Sequence, residues 1–174
     1  KRFSEDIDFK IAPPKAASRS AAERFRRDYR NRLLAAFEAA GFKQTAAPLV
    51  RDEGTFLQAV FDYGATYAPA SALRPTLRVE ITFMETALPP QPRPIQSFVA
   101  RASKQPPELT ALLCVDPVET AADKIGALAW RTYVRDRSNP KDDPTIVRHL
   151  HDLAALEPIV RDSEIFSDLA HSTL

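Results

Sequence analysis

Residues 1–11 read KRFSEDIDFKI, and the spacing of their acids decides how the chain is understood. In an extended strand, alternate side chains share a face. Ser4, Asp6 and Asp8 then line one face, and Phe3, Ile7 and Phe9 the other, with Glu5 out of pattern. One face is apolar. The other holds two carboxylates close together, and their mutual repulsion calls for a cation. Oxygen donors of this kind suit a hard divalent ion. A solvated edge strand, or a turn with an Asx cap, is the plainer account of an isolated Asp-x-Asp. The spacing alone favours that account.

The second informative stretch is Leu77-Arg78-Val79-Glu80-Ile81-Thr82-Phe83, which alternates without a break. It predicts a strand with Leu77, Val79, Ile81 and Phe83 facing a core and Arg78, Glu80 and Thr82 facing away. If this strand neighbours the first, Asp6, Asp8 and Glu80 converge. Three carboxylates suit one or two Mg²⁺ ions that hold a triphosphate and activate a hydroxyl. A cross-strand salt bridge is the alternative for Glu80.

Between these strands, a helix is expected from about Ser18 or Ser20 to Ala40, stopped by Gly41. Its apolar stripe is Phe25, Tyr29, Leu33 and Phe37. It also carries Arg19, Arg24, Arg26, Arg27, Arg30 and Arg32, a face that suits a phosphate backbone or plain solvation. The first 50 residues hold eleven Lys/Arg against six Asp/Glu, although the whole chain has a net charge of only +1. Residues 56–63 look like a strand of mixed pattern. LPPQPRP reads as a stiff proline loop. IQSFVA and LTALLCVD read as short strands. The remainder is helical: one helix opens at Pro117 and ends near Arg135, with Val118, Ala122, Ile125, Ala129 and Tyr133 as its stripe. A second runs from about Thr145 to Leu156, and a short one from about Ser163 to Ser172. The pattern is α+β, or mixed-sheet α/β, divided into a core over residues 1–116 and a helical part over 117–174.

Composition narrows the function. At 174 residues, 44% apolar and 27% charged, the chain has the profile of a globular protein. No apolar run approaches a membrane span, and no signal peptide is visible. Cys114 stands alone, which excludes an internal disulfide and a cysteine-based zinc site and fits a cytoplasmic location. The four glycines are scattered, which excludes a P-loop or a dinucleotide-binding loop within these residues. On the helix that opens at Pro117, Lys124 lies off the apolar stripe with Arg131 and Arg135; it is either a phosphate contact or an exposed lysine. Asp152, in RHLHDLAAL, has Arg148 four residues before it, the spacing of a helical ion pair. His149 and His151 do not share a helix face, so they make a poor metal pair. No Ser/His/Asp nucleophile set can be assembled.

Taken in order, KRFSEDIDFKI, LRVEITF, VDPVETAADKIGALAWR and RHLHDLAAL resemble the nucleotidyltransferase-type toxins of bacterial type IV (AbiE-like) toxin–antitoxin systems, in the DNA polymerase β-like superfamily. The resemblance spans about residues 1–157. It implies a polymerase β-like sheet with flanking helices and a helical C-terminal part. By position, it implies Asp6 and Asp8 as metal ligands, with Glu80 as a third, and Arg2 and Ser4 near the nucleotide phosphates. Lys124 takes the place of the active-site lysine that contacts the triphosphate. Asp152 matches the acid of the last motif, in which His149 stands where another acid is usual. The implied chemistry is Mg²⁺-dependent, with Mn²⁺ as an alternative ion, and moves a nucleotide from an NTP to an RNA 3′ end, that of tRNA above all. A cognate antitoxin is the implied protein partner; neither DNA nor membrane is. The superfamily places a Gly-Gly or Gly-Ser turn before the Asp-x-Asp, and the chain as given starts after that point, so a longer parent protein is expected. Two other readings compete. One is a truncated or degenerate, non-catalytic module that binds RNA or the antitoxin. The other is a metal-dependent nuclease.

Overall fold

The computed structural model describes residues 6–15, 18–62, 64, 76–134, 136, 138 and 148–173. The chain packs as two compact units, residues 1–85 and 86–174. Arg2 and Ser4, with Phe3 and Glu5, lie outside the described residues, as do Arg135 and the expected start of the second C-terminal helix at Thr145.

The first unit is a mixed sheet backed by one long helix. Strand β1 (Asp6–Lys10) is followed by helix α1 (Arg19–Ala39), then β2 (Lys43–Gln44), β3 (Leu49–Arg51), a short 3₁₀ turn over Asp52–Gly54, β4 (Phe56–Asp62) and β5 (Thr76–Thr82). The strand order is β1-β5-β4-β2, with β3 also paired to β4. β1 runs parallel to β5, and β4 antiparallel to it. The sequence therefore places the two informative strands side by side, as the convergence of their acids requires.

Alternation along the strands explains the packing. Leu57, Ala59 and Phe61 from β4 join Val79, Ile81 and Phe83 from β5 in a buried cluster. Phe25, Tyr29, Leu33, Leu34 and Phe37 from α1 pack on it. Their spacing of three and four puts them on one helix face. Phe37 stacks on Phe61 with ring centroids 4.4 Å apart, and Tyr29 meets Phe83 edge-on at 5.6 Å. Helix α1 starts where expected: the Ser18 side chain accepts a hydrogen bond from the Ala21 amide. It stops at Gly41, whose φ of +89° is open to glycine at little cost. Phe9 packs on the cluster, but Ile7 is 41% exposed because β1 is an edge strand.

The second unit has a two-stranded ribbon, β6 (Gln91–Ile95) with β7 (Leu109–Cys114), and helices α2 (Phe98–Ala102), α3 (Pro117–Tyr133), α4 (Arg148–Val160) and α5 (Phe166–Ser172). Three expectations are corrected here. The proline-rich segment is irregular over residues 88–90, as expected, but from Gln91 onward it forms strand β6. Pro92 and Pro94 are two residues apart, so both missing N–H groups fall on one edge, and Gln91, Arg93 and Ile95 remain to pair with β7. IQSFVA is not a strand: Ser97 caps α2 by accepting from the Ala100 amide, and local capping outweighs the apolar composition. The buried face of α3 is Glu119, Ala121, Ala122 and Gly126: of the expected stripe Ala122 is buried, Val118, Ile125 and Ala129 are half-buried, and Tyr133 is 85% exposed. Small residues let α4 and α5 approach closely, so this helix buries its small side chains. The expected start at Pro117 holds, with Asp116 as the cap accepting from the Val118 amide.

Candidate active site

The polar face of the first unit's sheet is built from β1, β5 and β4. Register sets it: Asp6 stands opposite Arg78, Asp8 opposite Glu80, and Glu80 opposite Gln58. The apolar residues between them turn to the α1 side, so the acids gather on the sheet face away from the helix. This placement follows from the parallel pairing of β1 with β5. A slip of one residue would turn one strand's acids into the core.

The acids are not bare. Arg78 Nε lies 3.7 Å from Asp6 Oδ1, an ion pair with both side chains about one-third exposed. Gln58 Nε2 donates to Glu80 Oε1 at 2.6 Å. Both partners come from the alternation that defines the strands: Arg78 sits two residues before Glu80, and Gln58 sits midway along β4. The sequence reading missed them as site components. The signal for Arg78 was present, since a cation between two acid-bearing strands is the expected counter-charge.

The donor set fits a hard ion. Asp6, Asp8 and Glu80 offer only carboxylate oxygens, with no sulfur or imidazole among them. Among the described residues, no group of three His, Cys, Asp or Glu side chains is drawn together closely enough to hold a metal. Mg²⁺ does not require such a cage, since one or two carboxylates plus substrate phosphate oxygens and water satisfy it.

In the second unit, Lys124 on α3 and Asp152 on α4 form one short pair. Lys124 Nζ donates to Asp152 Oδ2 at 2.8 Å, with the side chains 25% and 18% exposed. Two residues picked separately from the sequence are thus brought together, by an interhelical pair that helical spacing within α4 did not foretell. Seven residues further along α3, Arg131 Nη1 meets His149 Nε2 at 2.8 Å. Lys124 and Arg131 share a helix face, and so do His149 and Asp152, three apart, so the two pairs form a ladder between α3 and α4. The His149 Nδ1 is buried without a hydrogen-bond partner among the described residues. Burial above all, then the charges of Arg131 and Lys124, holds the His149 pKa below the usual histidine value, while Asp152 acts in the opposite sense. A neutral ring can accept from Arg131 at Nε2 when its proton sits on Nδ1.

An edge strand carrying Asp-x-Asp, laid parallel to an inner strand with a third acid and backed by a helix, defines an α+β chain of the polymerase β-like nucleotidyltransferase type. The family model described as "Nucleotidyl transferase AbiEii toxin, Type IV TA system" matches residues 1–173. The chain belongs to that family. No curated protein matches it. Among the described residues, no helix is long and apolar enough to cross a membrane.

Proposed function

We propose that the protein transfers a nucleoside monophosphate from an NTP to the 3′ end of an RNA acceptor, tRNA in the first instance, with Mg²⁺ as cofactor, and that a cognate antitoxin opposes it. The observation that carries this reading is the register that sets Asp8 beside Glu80, with Asp6 on the same polar face. Bound there, Mg²⁺ would supply Lewis acidity at the phosphate and lower the pKa of the attacking hydroxyl.

The chain's own residues have distinct tasks. Asp6 and Asp8 would hold the ion, one strand presenting both carboxylates two residues apart. Glu80 is the third acid; its Oε1 accepts from Gln58, which fixes the carboxyl on that face. Arg78 neutralises Asp6 while no ion is bound and keeps the like charges from repelling. In the second unit, Lys124 is the family's phosphate-contacting lysine. Its pairing with Asp152 orients the ammonium. Arg2 and Ser4 are assigned to the nucleotide phosphates by motif position. The acceptor 3′-hydroxyl attacks the α-phosphorus, the bond to the β-phosphate oxygen breaks, and pyrophosphate leaves. The hydroxyl proton passes to solvent or to a carboxylate of the Asp6–Asp8 pair.

One observation favours the non-catalytic alternative. Asp6 and Lys124 are each engaged with an opposite charge, Arg78 and Asp152, as they would be in a protein that only binds. A single experiment separates the two. The intact protein is incubated with Mg²⁺, total bacterial tRNA and each labelled NTP in turn, and the RNA is resolved on a denaturing gel. Label entering full-length RNA, with a loss of at least about 100-fold in Asp6→Ala and Asp8→Ala at unchanged melting temperature, is the expected outcome. Unlabelled RNA from every NTP overturns the reading, and shortened RNA replaces it with a nuclease.

A further inference from the structure

Helix α1 carries a second feature, on the opposite side of the sheet from the acids. A pocket opens where α1 meets the turn at residues 52–54. Arg26, Arg27 and Arg30 line it on the helix, and Glu53 and Gly54 on the turn, with Leu57 and Phe83 at its base. The turn is strained: Asp52, Glu53 and Gly54 have φ of 51°, 54° and 83°, three left-handed residues in succession, two of them with side chains. Arg26 Nη2 donates to the Glu53 carbonyl at 3.0 Å and helps hold this conformation. Arg26 Nε is buried with no acceptor among the described residues.

The charge of the pocket is positive despite its two acids, Glu23 and Glu53. Arg19 engages both of them, at 3.2 Å and 3.0 Å. Arg27 and Arg30 have no ion-pair partner among the described residues. They lie three apart, so their guanidinium groups reach the same patch of surface. A planar guanidinium with free N–H donors matches a phosphate in shape and charge better than it matches a solvated surface.

We propose that this pocket binds a backbone phosphate of the RNA acceptor, in the body of the molecule and away from the reacting 3′ end. The inference rests on the acceptor being RNA, as proposed above. The topology excludes the nucleotide's own triphosphate as the ligand, since α1 covers the sheet face opposite Asp6, Asp8 and Glu80. A long polyanion can reach both faces; a mononucleotide cannot. Arg27 and Arg30 are positioning residues for the acceptor, and Arg26 both lines the site and braces the turn.

The test uses the intact protein and total bacterial tRNA, with affinity measured by filter binding across a salt series. The variant is R27Q/R30Q, which spares Arg26 and its hydrogen bond to the turn. The charge-matched control is R24Q/R32Q, on the same helix but outside the pocket. The expected result is a slope of log K against log salt shallower by about 0.8 in R27Q/R30Q, for one backbone phosphate no longer neutralised. In transfer assays, KM for RNA rises and kcat stays the same. The single variant R27Q, at an exposed position, gives about half the change in slope and guards against a folding defect in the double variant. Equal weakening by the control would mean diffuse charge rather than a site and would overturn the proposal. So would affinity and slope unchanged from wild type. If transfer is established by the gel assay and R27Q/R30Q binds normally, the pocket assignment fails alone. If tRNA binds through Arg27 and Arg30 but no NTP is incorporated, the enzymatic reading fails and the pocket stands.

Discussion

His149 shows how one residue alters a helix interface. A carboxylate at this position would pair with Arg131 as an ion pair; an imidazole can only accept from it while neutral. Its folded-state pKa is depressed, so below about pH 6.5 the unfolded chain binds the proton more readily than the folded one. The stability that depends on the neutral ring is therefore fully present above that pH. It is lost as pH falls through the lowered value. Melting temperatures measured from pH 7.5 down to pH 5 should fall more steeply in the wild type than in H149Q, whose side chain still offers an acceptor to Arg131 and does not titrate. Parallel acid limbs would show that His149 is not responsible. At this scale the candidate site was only partly legible. Asp6, Asp8, Glu80, Lys124 and Asp152 each stand out by residue type and position in a pattern. Arg78 and Gln58 beside the sheet acids, the joining of Lys124 to Asp152 and the neighbouring Arg131–His149 pair depend on which strands and helices become neighbours, and periodicity within one element does not encode that.

The elements divide by how strong their local signals are. Helix α1 and strand β5 were readable because apolar period, cap and stop signal agree, from Ser18 to Gly41 and from Leu77 to Phe83. β6 and α2 were not, because proline and apolar composition are ambiguous until an edge or a cap is specified. α3 was placed correctly at its start and misjudged in its buried face, since small residues carry little hydrophobic signal. Gly126 explains the close approach: a Cβ built there would lie 2.7–2.8 Å from Thr173, its backbone oxygen included. Thr173 Oγ1 also donates to the Ala122 carbonyl at 3.2 Å, which ties the end of α5 to α3. Gly126→Ala gains helix propensity but must displace this contact. A net loss of about 1–3 kcal/mol is expected, as for other overpacked positions, read as a lower urea midpoint. An unchanged or higher midpoint would mean that α5 adds nothing to the packing of α3.

Over the whole molecule, the most protected region is the paired core of the first unit. β4 and β5 form the longest ladder and carry the four largest fully buried side chains, Phe61, Leu57, Ile81 and Val79. Native-state hydrogen exchange should be slowest at the amides of residues 57–61 and 79–81, and faster in β1, β6 and β7, each of which has a strand partner on one side alone among the described residues. Uniform protection across all strands would contradict this ranking. The parallel pairing of β1 with β5 also has a consequence in time. On the ribosome, Asp6 and Asp8 leave the tunnel about 70 residues before the strand that fixes them, an interval of several seconds at roughly 5–20 residues per second. Until β5 arrives, β1 has no neighbour on which to dock, and its acids have no fixed face. If these acids carry transfer, as proposed above, the growing chain stays inactive until β5 has been made, however early its Asp-x-Asp is translated.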